Sequence, residues 1–371
     1  MDDDIPYLLL TPGPLTTSRT VRRAMLQDWC TWDDDYHALV EEIRRRIASI
    51  ATDRDDFTVV PMQGSGTFSV EAAIGTLVPE AGRLLVASNG AYGRRIVQIA
   101  ERLGIDCVEL AHPETEPVAA DRVSDALRRD PGLSHVAVVH CETTTGMLND
   151  VTAVGGAVET RGRTLIVDAM SSFGGLPFTL EGIRADALVS SANKCISGVP
   201  GFGFVVVRRA LLEGCEGRSR SLSLDLFDQW RTMEQEAGKW RFTSPTHTVR
   251  AFLQALRELE AEGGVAARHA RYVENQRRLV EGLEAIGFCT LLPRAHQSPF
   301  ITAFVHPADP GFRFSELYAA LKRRRFVIYP GKVSDADTFR VGTIGHVFPE
   351  DIDELVDAFA GAVREIGVRL P

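Results

Sequence analysis

Polar residues that could carry chemistry follow the apolar runs of this sequence, at the points where buried strands are expected to end. Because ligands bind at the carboxyl edge of an open parallel sheet, residues that follow different strands converge there even when they are far apart in sequence. The segments concerned are 64–67 (GSGT) after FTVVPMQ, 141–146 (CETTTG) after HVAVVH, Asp168 at the end of TLIVD, and Asn193 and Lys194 after ALVSS. Together they offer an anion-binding turn, hydroxyl groups, a carboxylate and an amine.

The turn Gly64-Ser65-Gly66-Thr67 precedes a helical stretch. Its backbone N–H groups and hydroxyls can point at an anion, and the helix dipole favours negative charge at that end, so we predict a phosphate site. An ordinary glycine-rich turn with a hydroxyl cap gives the same pattern. A dinucleotide-binding dehydrogenase is a weaker interpretation, because the GxGxxG pattern fails at Ser69 and the next strand ends at Ser88 instead of an acidic residue.

Asp168 and Lys194 are the candidates for catalysis. An ionised carboxylate at the end of an apolar strand needs a cationic or hydrogen-bonding partner, which a protonated pyridine nitrogen or the turn at Ser171-Ser172 could provide. Most lysines are solvated, but Lys194 precedes a loop of small residues that lets its side chain turn inward. An amine, a carboxylate and a phosphate site fit pyridoxal phosphate: a Schiff base at the aldehyde, an ion pair at the ring nitrogen, and the phosphate on the helix.

His140 and Glu142 flank Cys141, which raises the possibility of a metal site. Consecutive residues of a strand point to opposite faces of the sheet, so these three side chains cannot converge on one ion. We therefore predict no metal.

The elements that must position these residues show an α/β pattern. Apolar, β-branched runs alternate with amphipathic stretches between Phe57 and Arg208, which predicts a large, mostly parallel sheet with right-handed crossovers and helices on both faces. A long helical region follows, and the pair Gly263-Gly264 interrupts it. We predict a large domain over residues 1–262, with an N-terminal arm over 1–20 near the active site, and a smaller α+β domain over 263–371.

Composition excludes several classes of protein. The chain has 371 residues, of which 44% are hydrophobic and 25% charged, as in ordinary globular enzymes. A formal net charge of -9 argues against a nucleic-acid surface, which needs concentrated Lys and Arg. The N-terminus, MDDDIPYLLLTPGP, is acidic where a signal peptide is basic, and we find no stretch long enough to span a bilayer. These features predict a cytoplasmic protein.

The motifs resemble those of the class V aminotransferases, which are fold-type I pyridoxal-phosphate enzymes. VDAMSSFGG followed by SSANKCISGVPGFGF is the strongest part of the resemblance, with SNGAYGRR and HCETTTGMLND beside it, and the similarity covers nearly the whole chain. DWCTWDDDY and KWRFTSPTH resemble a subgroup in which 2-aminoethylphosphonate is the amino donor and pyruvate the acceptor. The alternative within the class is an alanine–glyoxylate or serine–pyruvate aminotransferase.

The resemblance implies roles for single residues around the cofactor ring. Lys194 would form the Schiff base, and Asp168 would pair with the ring nitrogen. Tyr92 would stack on the ring, although a helix-face aromatic in the core gives the same pattern. Thr143 would contact the phenolic oxygen of the cofactor.

The resemblance also implies a phosphate site and a partner subunit. Ser65, Gly66, Thr67 and Asn193 would hold the phosphate, although relatives elsewhere in the class often have Gln at the position of Asn193. Thr243 would join them from the second subunit, because the family builds its active site across a homodimer interface.

Arg340, in FRVGTIGH, would bind the acidic group of the substrate. A surface salt bridge is the alternative role for this arginine. If Arg340 serves the amino donor alone, Lys332 is the candidate cation for the keto acid.

Overall fold

The computed structural model describes residues 6–331, 333 and 335–370. Residues 1–5 of the expected N-terminal arm and Lys332 lie outside the described residues. Within the described part of the chain, no helix is both long enough and apolar enough to cross a membrane.

The first part of the chain alternates strands and helices. In chain order its elements are β1 (Leu8–Leu9), α1 (Arg19–Arg23), α2 (Asp34–Ala51), β2 (Phe57–Gln63), α3 (Gly66–Leu77), β3 (Arg83–Ser88), α4 (Ala91–Arg102), β4 (Asp106–Ala111), α5 (Ala120–Arg129), β5 (His135–Val139), β6 (Cys141–Glu142), β7 (Met147–Leu148), α6 (Val151–Glu159), β8 (Thr164–Asp168), α7 (Leu180–Ile183), β9 (Ala187–Ser191), β10 (Phe202–Arg208), α8 (Arg209–Glu213) and α9 (Leu226–Gln235).

These elements build a seven-stranded sheet with the order β2-β10-β9-β8-β5-β3-β4. Strand β10 is antiparallel to both of its neighbours, and the other pairings are parallel, so β10 alone runs opposite to the rest of this sheet. The predicted mostly parallel α/β sheet is thus confirmed. The sequence did not predict β4, because this edge strand is only partly buried and lacks a continuous apolar run.

Except for the edge strand β4, the strands of the sheet are apolar because helices cover both of its faces. In β3, Leu85 and Ala87 belong to the apolar cluster on one face, while Leu84 and Val86 belong to the cluster on the other. This burial holds the strand ends, and the polar residues that follow them, in fixed positions.

The second part of the chain begins with two long helices. Its elements are α10 (Thr246–Ala261), α11 (Gly264–Ile286), β11 (Cys289–Thr290), β12 (Ile301–Val305), α12 (Phe314–Arg323), β13 (Phe326–Val327), β14 (Tyr329–Pro330), β15 (Thr338–Gly342) and α13 (Pro349–Ile366). The sheet β11-β12-β15-β14 is antiparallel, and it packs with α11, α12 and α13 around a separate apolar core. We propose residues 1–262 and 263–371 as the two domains, divided between α10 and α11.

The N-terminal arm crosses from one core to the other. Strand β1 pairs in parallel with β13. Just after β1, the carbonyl oxygen of Leu10 accepts a hydrogen bond from Gly342 N, at the end of β15. The apolar run FVIYPG (326–331) divides between β13, which pairs with the arm, and β14, which pairs with β15. The arm therefore reaches the strand that carries Arg340.

Candidate active site

Lys194 lies in the loop after β9, against the N-terminal arm. Its Nζ atom donates a hydrogen bond to the carbonyl oxygen of Pro12 at 2.7 Å. A Cβ atom added at Gly13 would lie 2.5 Å from the same Nζ, so the backbone approaches the amine closely. Burial lowers the pKa of Lys194 to about 8, against a smaller opposing effect of nearby groups such as Asp168. A lysine with this pKa has a far larger neutral fraction near neutral pH than an ordinary lysine, whose pKa is 10.5.

Asp168 ends β8 and is buried. Its Oδ1 atom accepts a hydrogen bond from Met170 N at 2.9 Å, whereas Oδ2 has no hydrogen-bond partner in the part of the chain that the structure describes. Burial raises the pKa of Asp168 to about 6, opposed by the bond from Met170. The carboxylate lines a small cavity with Thr67, Tyr92 and Arg95, where it can accept one more N–H.

The glycine-rich turn lies beside this cavity. Ser65 is the N-cap residue of α3, but its side chain makes no capping hydrogen bond, which disfavours the simple hydroxyl cap. A Cβ atom added at Gly66 would overlap the side chain of Met170, so the turn packs directly against the segment that follows Asp168. The hydroxyl of Thr67 accepts a hydrogen bond from Arg95 Nη1 at 3.3 Å. Phe68 N donates to Ser65 O at 2.9 Å. The N–H groups of Gly66 and Thr67 make no hydrogen bond among the described residues and remain available for an anion.

Two further residues expected at the phosphate lie apart from these contacts. The Oδ1 atom of Asn193 accepts a hydrogen bond from the hydroxyl of Ser191 at 3.1 Å. Thr243 is exposed, and its carbonyl oxygen accepts a hydrogen bond from the side chain of Gln63, one residue before the turn. The structure describes a single chain, so the role of Thr243 in a second subunit stays a prediction.

Tyr92 lies in the first turn of α4, and its ring is half-buried at the cavity that Asp168 lines. Its backbone N–H donates a hydrogen bond to Glu142 Oε2 at 3.0 Å, and the guanidinium of Arg95 lies 4.9 Å from the centre of its ring. Glu142 is fully buried and also accepts a hydrogen bond from the hydroxyl of Thr144 at 2.7 Å. Burial raises the pKa of Glu142.

Glu142 and Arg95 are residues that sequence reasoning missed. The sequence pattern points to Glu142 only as a possible metal ligand, and it indicates no role for Arg95. A signal existed in Glu142, because a carboxylate after an apolar strand needs hydrogen-bond donors, and the N-terminus of a helix provides them.

Arg340 lies on β15 and is 5% exposed. Its Nε atom donates to Pro330 O at 3.0 Å, and its Nη1 atom donates to Thr143 O at 2.8 Å. Among the described residues, it has no hydrogen bond to a carboxylate and its Nη2 group has no partner, so the alternative of a surface salt bridge is wrong. Burial lowers the pKa of Arg340. Thr143 is buried, and its carbonyl and that of Pro330 together orient the arginine.

His140 is buried at the end of β5, with Nδ1 at 3.0 Å from the hydroxyl of Ser172. Burial lowers its pKa to about 4, so it is neutral. In the described ranges, no group of three or more His, Cys, Asp or Glu side chains is placed to hold a metal ion.

Comparison with known proteins bears on this arrangement. Residues 27–331 match the family model described as Aminotransferase class-V. A 2-aminoethylphosphonate–pyruvate transaminase of Syntrophobacter fumaroxidans is 62% identical over 362 residues, which cover 98% of each chain. A protein of the same name from Vibrio cholerae is 57% identical and covers 96% of this chain and 98% of its own. The crystal structure of an alanine–glyoxylate aminotransferase from Nostoc sp. has a TM-score of 0.88 at 26% identity, over 96% of this chain and 95% of its own.

Proposed function

The chain belongs to the class V aminotransferases, and from that premise we propose that it transfers the amino group of 2-aminoethylphosphonate to pyruvate, with pyridoxal 5'-phosphate as its cofactor. The products are phosphonoacetaldehyde and L-alanine. Relatives with this printed name are 57% and 62% identical to the chain over nearly its whole length. The observation in the site that carries the proposal is Arg340, a buried cation without a carboxylate partner among the described residues.

The residues present fit the cofactor. Asp168 keeps an oxygen without a hydrogen-bond partner in the described chain, which suits a protonated ring nitrogen. The N-terminus of α3, with Ser65, Gly66 and Thr67, suits a phosphate because its N–H groups and its dipole both favour an anion. Asn193 would complete this phosphate site from the lysine loop, and Thr243 from a second subunit. Tyr92 would cover one face of the ring, and Thr143 would lie near the phenolic oxygen.

When bound, pyridoxal phosphate supplies an aldehyde that links to an amine and a ring that accepts an electron pair. Lys194 would hold the cofactor through its Nζ atom, and the same amine, when free, would be the base that takes a proton from the substrate carbon. Its pKa of about 8 suits both directions of this proton transfer near neutral pH. Asp168 would place a negative charge beside the ring nitrogen and so would favour a protonated ring.

Arg340 would select the acidic group of both substrates. Three of the five N–H donors of its guanidinium are not used by Pro330 or Thr143. A phosphonate and a carboxylate each offer paired oxygens to this planar fork. One arginine can therefore bind the amino donor in the first half-reaction and pyruvate in the second. Because the two substrates would use the same site in turn, we expect ping-pong kinetics.

We also propose a homodimer that shares its active sites. Large apolar side chains are exposed near Thr243: Phe68 is 50% exposed, Leu222 78% and Phe242 47%. Phe68 and Phe242 line one cavity with Gly64 of the anion-binding turn. Arg241 connects Leu222 to this group, because its Nη1 atom donates to Leu222 O and its guanidinium lies over the ring of Phe242. Exposed apolar patches of this kind mark protein interfaces. We infer that a second copy of the chain binds this patch, because that copy could also bring its own Thr243 to the anion-binding turn.

The test measures the first half-reaction with purified protein loaded with cofactor. We expect rapid loss of the visible absorption of the bound cofactor on addition of 2-aminoethylphosphonate, with formation of phosphonoacetaldehyde, and recovery on addition of pyruvate with formation of alanine. Alanine and serine, tested as donors at equal concentration, should react more slowly. A faster reaction with either amino acid would favour the alanine–glyoxylate or serine–pyruvate alternative. Protein that never binds the cofactor would overturn the proposal.

A further inference from the structure

Two side chains of helix α11 donate hydrogen bonds to the loop that carries Lys194. The carbonyl oxygen of Cys195 accepts two hydrogen bonds, from Arg268 Nη1 at 2.8 Å and from the hydroxyl of Tyr272 at 3.0 Å. All three residues are buried. Ser197 closes the loop with a hydrogen bond from its N–H to Lys194 O at 2.7 Å, and its φ angle of 67° is unusual for a residue other than glycine. The lysine therefore lies on a loop whose position depends on α11.

The hydroxyl of Tyr272 also contacts the segment that follows Arg340. It accepts a hydrogen bond from Gly345 N at 3.3 Å. Gly345 is five residues beyond Arg340 in the same segment, which begins with the rigid strand β15. One buried oxygen atom thus bonds to the loop of the base and to the segment of the acid-binding arginine.

We propose that Tyr272 is a positioning residue that fixes Lys194 relative to Arg340, so that a substrate whose acidic group is bound by the arginine presents its amine-bearing carbon to the lysine. This inference rests on the proposed function. It explains why a fully buried tyrosine ring, packed edge-on against Phe300 at 6.3 Å, keeps its hydroxyl at the junction between the two domains.

The physical basis is that misplacing the base by a fraction of an ångström slows proton transfer, whereas the arginine still binds the acidic group. Loss of the Tyr272 hydroxyl leaves Gly345 N without its acceptor and leaves Cys195 O with Arg268 alone. The two segments can then shift independently. The defect should appear in kcat and not in KM, and only for substrates that use Arg340.

The experiment compares Tyr272→Phe with the wild-type holoenzyme. Two donors are used: 2-aminoethylphosphonate, and propylamine, which lacks the acidic group and cannot use Arg340. We expect kcat with 2-aminoethylphosphonate to fall about tenfold, as for a lost buried hydrogen bond, with KM changed by less than about twofold. The single-turnover rate with propylamine should stay within about twofold of the wild-type rate. Tyr318→Phe is the matched control, because this ring packs on Phe314 in the same domain and makes no side-chain hydrogen bond among those described.

A second measurement does not depend on the donor. The rate at which cofactor attaches to Lys194 in cofactor-free protein is followed against pH. A looser loop admits water, which reduces the desolvation that lowers the pKa of Lys194. The pH at which the attachment rate is half-maximal, the midpoint, should therefore move upward by about half a pH unit or more in Tyr272→Phe and stay unchanged in Tyr318→Phe. Arg268→Lys, which weakens the other bond to Cys195 O, should move this midpoint in the same direction.

These readouts separate the possible failures. A lower unfolding temperature with unchanged kcat and unchanged midpoint would show that Tyr272 only stabilises the fold, and would overturn the inference. An equal loss with propylamine and 2-aminoethylphosphonate would overturn it too, because the arginine would then be irrelevant. If the wild type does not use 2-aminoethylphosphonate, the proposed function fails, and the midpoint alone decides for or against Tyr272.

Discussion

The Nζ atom of Lys194 lies 2.7 Å from the carbonyl oxygen of Pro12, across 182 residues of sequence. The same arm is bonded to the strand of Arg340, through Gly342 N and Leu10 O. The N-terminal arm is therefore part of the candidate site. It contacts the amine of Lys194 directly, whereas α11 contacts the loop that carries this lysine. The predictions that follow concern the residues that this arrangement brings together.

Gly13→Ala should damage the site. The added Cβ would lie 2.5 Å from Lys194 Nζ, at a φ of 130° that residues with side chains rarely adopt. We expect turnover to fall and cofactor to attach more slowly, because the amine is displaced. Gly104→Ala is the control, since Gly104 also has a positive φ of 66° but no atom within 4 Å of its added Cβ. Equal activity losses in the two variants would show that backbone strain, and not the contact with Lys194, is responsible.

Lys194→Ala should abolish turnover while the protein still folds. Its amine is buried, has a lowered pKa and is close enough to Asp168 to interact with its charge. Borohydride reduction of the wild-type holoenzyme, followed by peptide mapping, should find the cofactor on Lys194. Attachment to another lysine would show that this residue is not the anchor.

Asp168→Asn keeps the shape of the side chain but removes the charge beside the ring nitrogen. We expect kcat to fall by about 100-fold or more, as when one electrostatic contact to the reacting group is lost. The unfolding temperature should change by only a few degrees, because burial already disfavours the carboxylate, whose pKa is raised to about 6. Wild-type activity in this variant would exclude Asp168 from catalysis.

Arg340→Ala should impair both half-reactions together. Loss of one partner of a buried charge pair costs roughly 2–5 kcal/mol, or about 30-fold to a few thousand-fold in kcat/KM. Arg340→Lys should recover little, because an ammonium lacks the planar fork. Stopped-flow absorbance with 2-aminoethylphosphonate, and then with pyruvate, measures each half-reaction. A normal reaction with pyruvate in Arg340→Ala would assign the keto acid to another cation, for which Lys332 is the candidate.

The pH dependence of cofactor attachment should report the lowered pKa of Lys194. The neutral amine reacts with the aldehyde, and a lowered pKa means that the neutral form appears at lower pH. The rate should therefore rise with pH and level off above about 8, whereas an ordinary lysine, with its pKa of 10.5, continues to gain reactivity beyond pH 10. A small lysine peptide is the control. Equal midpoints for peptide and protein would contradict the burial of the amine.

The sequence by itself determined the main sheet and the chemistry at its edge. Continuous apolar runs such as that of β8 are strands buried on both faces, and the residues that follow them meet where parallel strands end. That rule brought Asp168, Lys194 and the turn at Ser65 together without coordinates. The edge strand β4 escaped the same reasoning, because partial burial leaves an edge strand with mixed polarity.

Only the tertiary structure decided how the distant residues of the site contact each other. The bond from Arg340 to Thr143 joins positions 197 residues apart, and the bond from Gly345 N to the Tyr272 hydroxyl joins a loop to a helix 73 residues away. No periodicity or motif encodes such pairs, because they depend on how two separate cores pack against each other and against the arm. Local sequence sets the pattern of burial within each element, whereas contacts between elements follow from the packing of the whole chain.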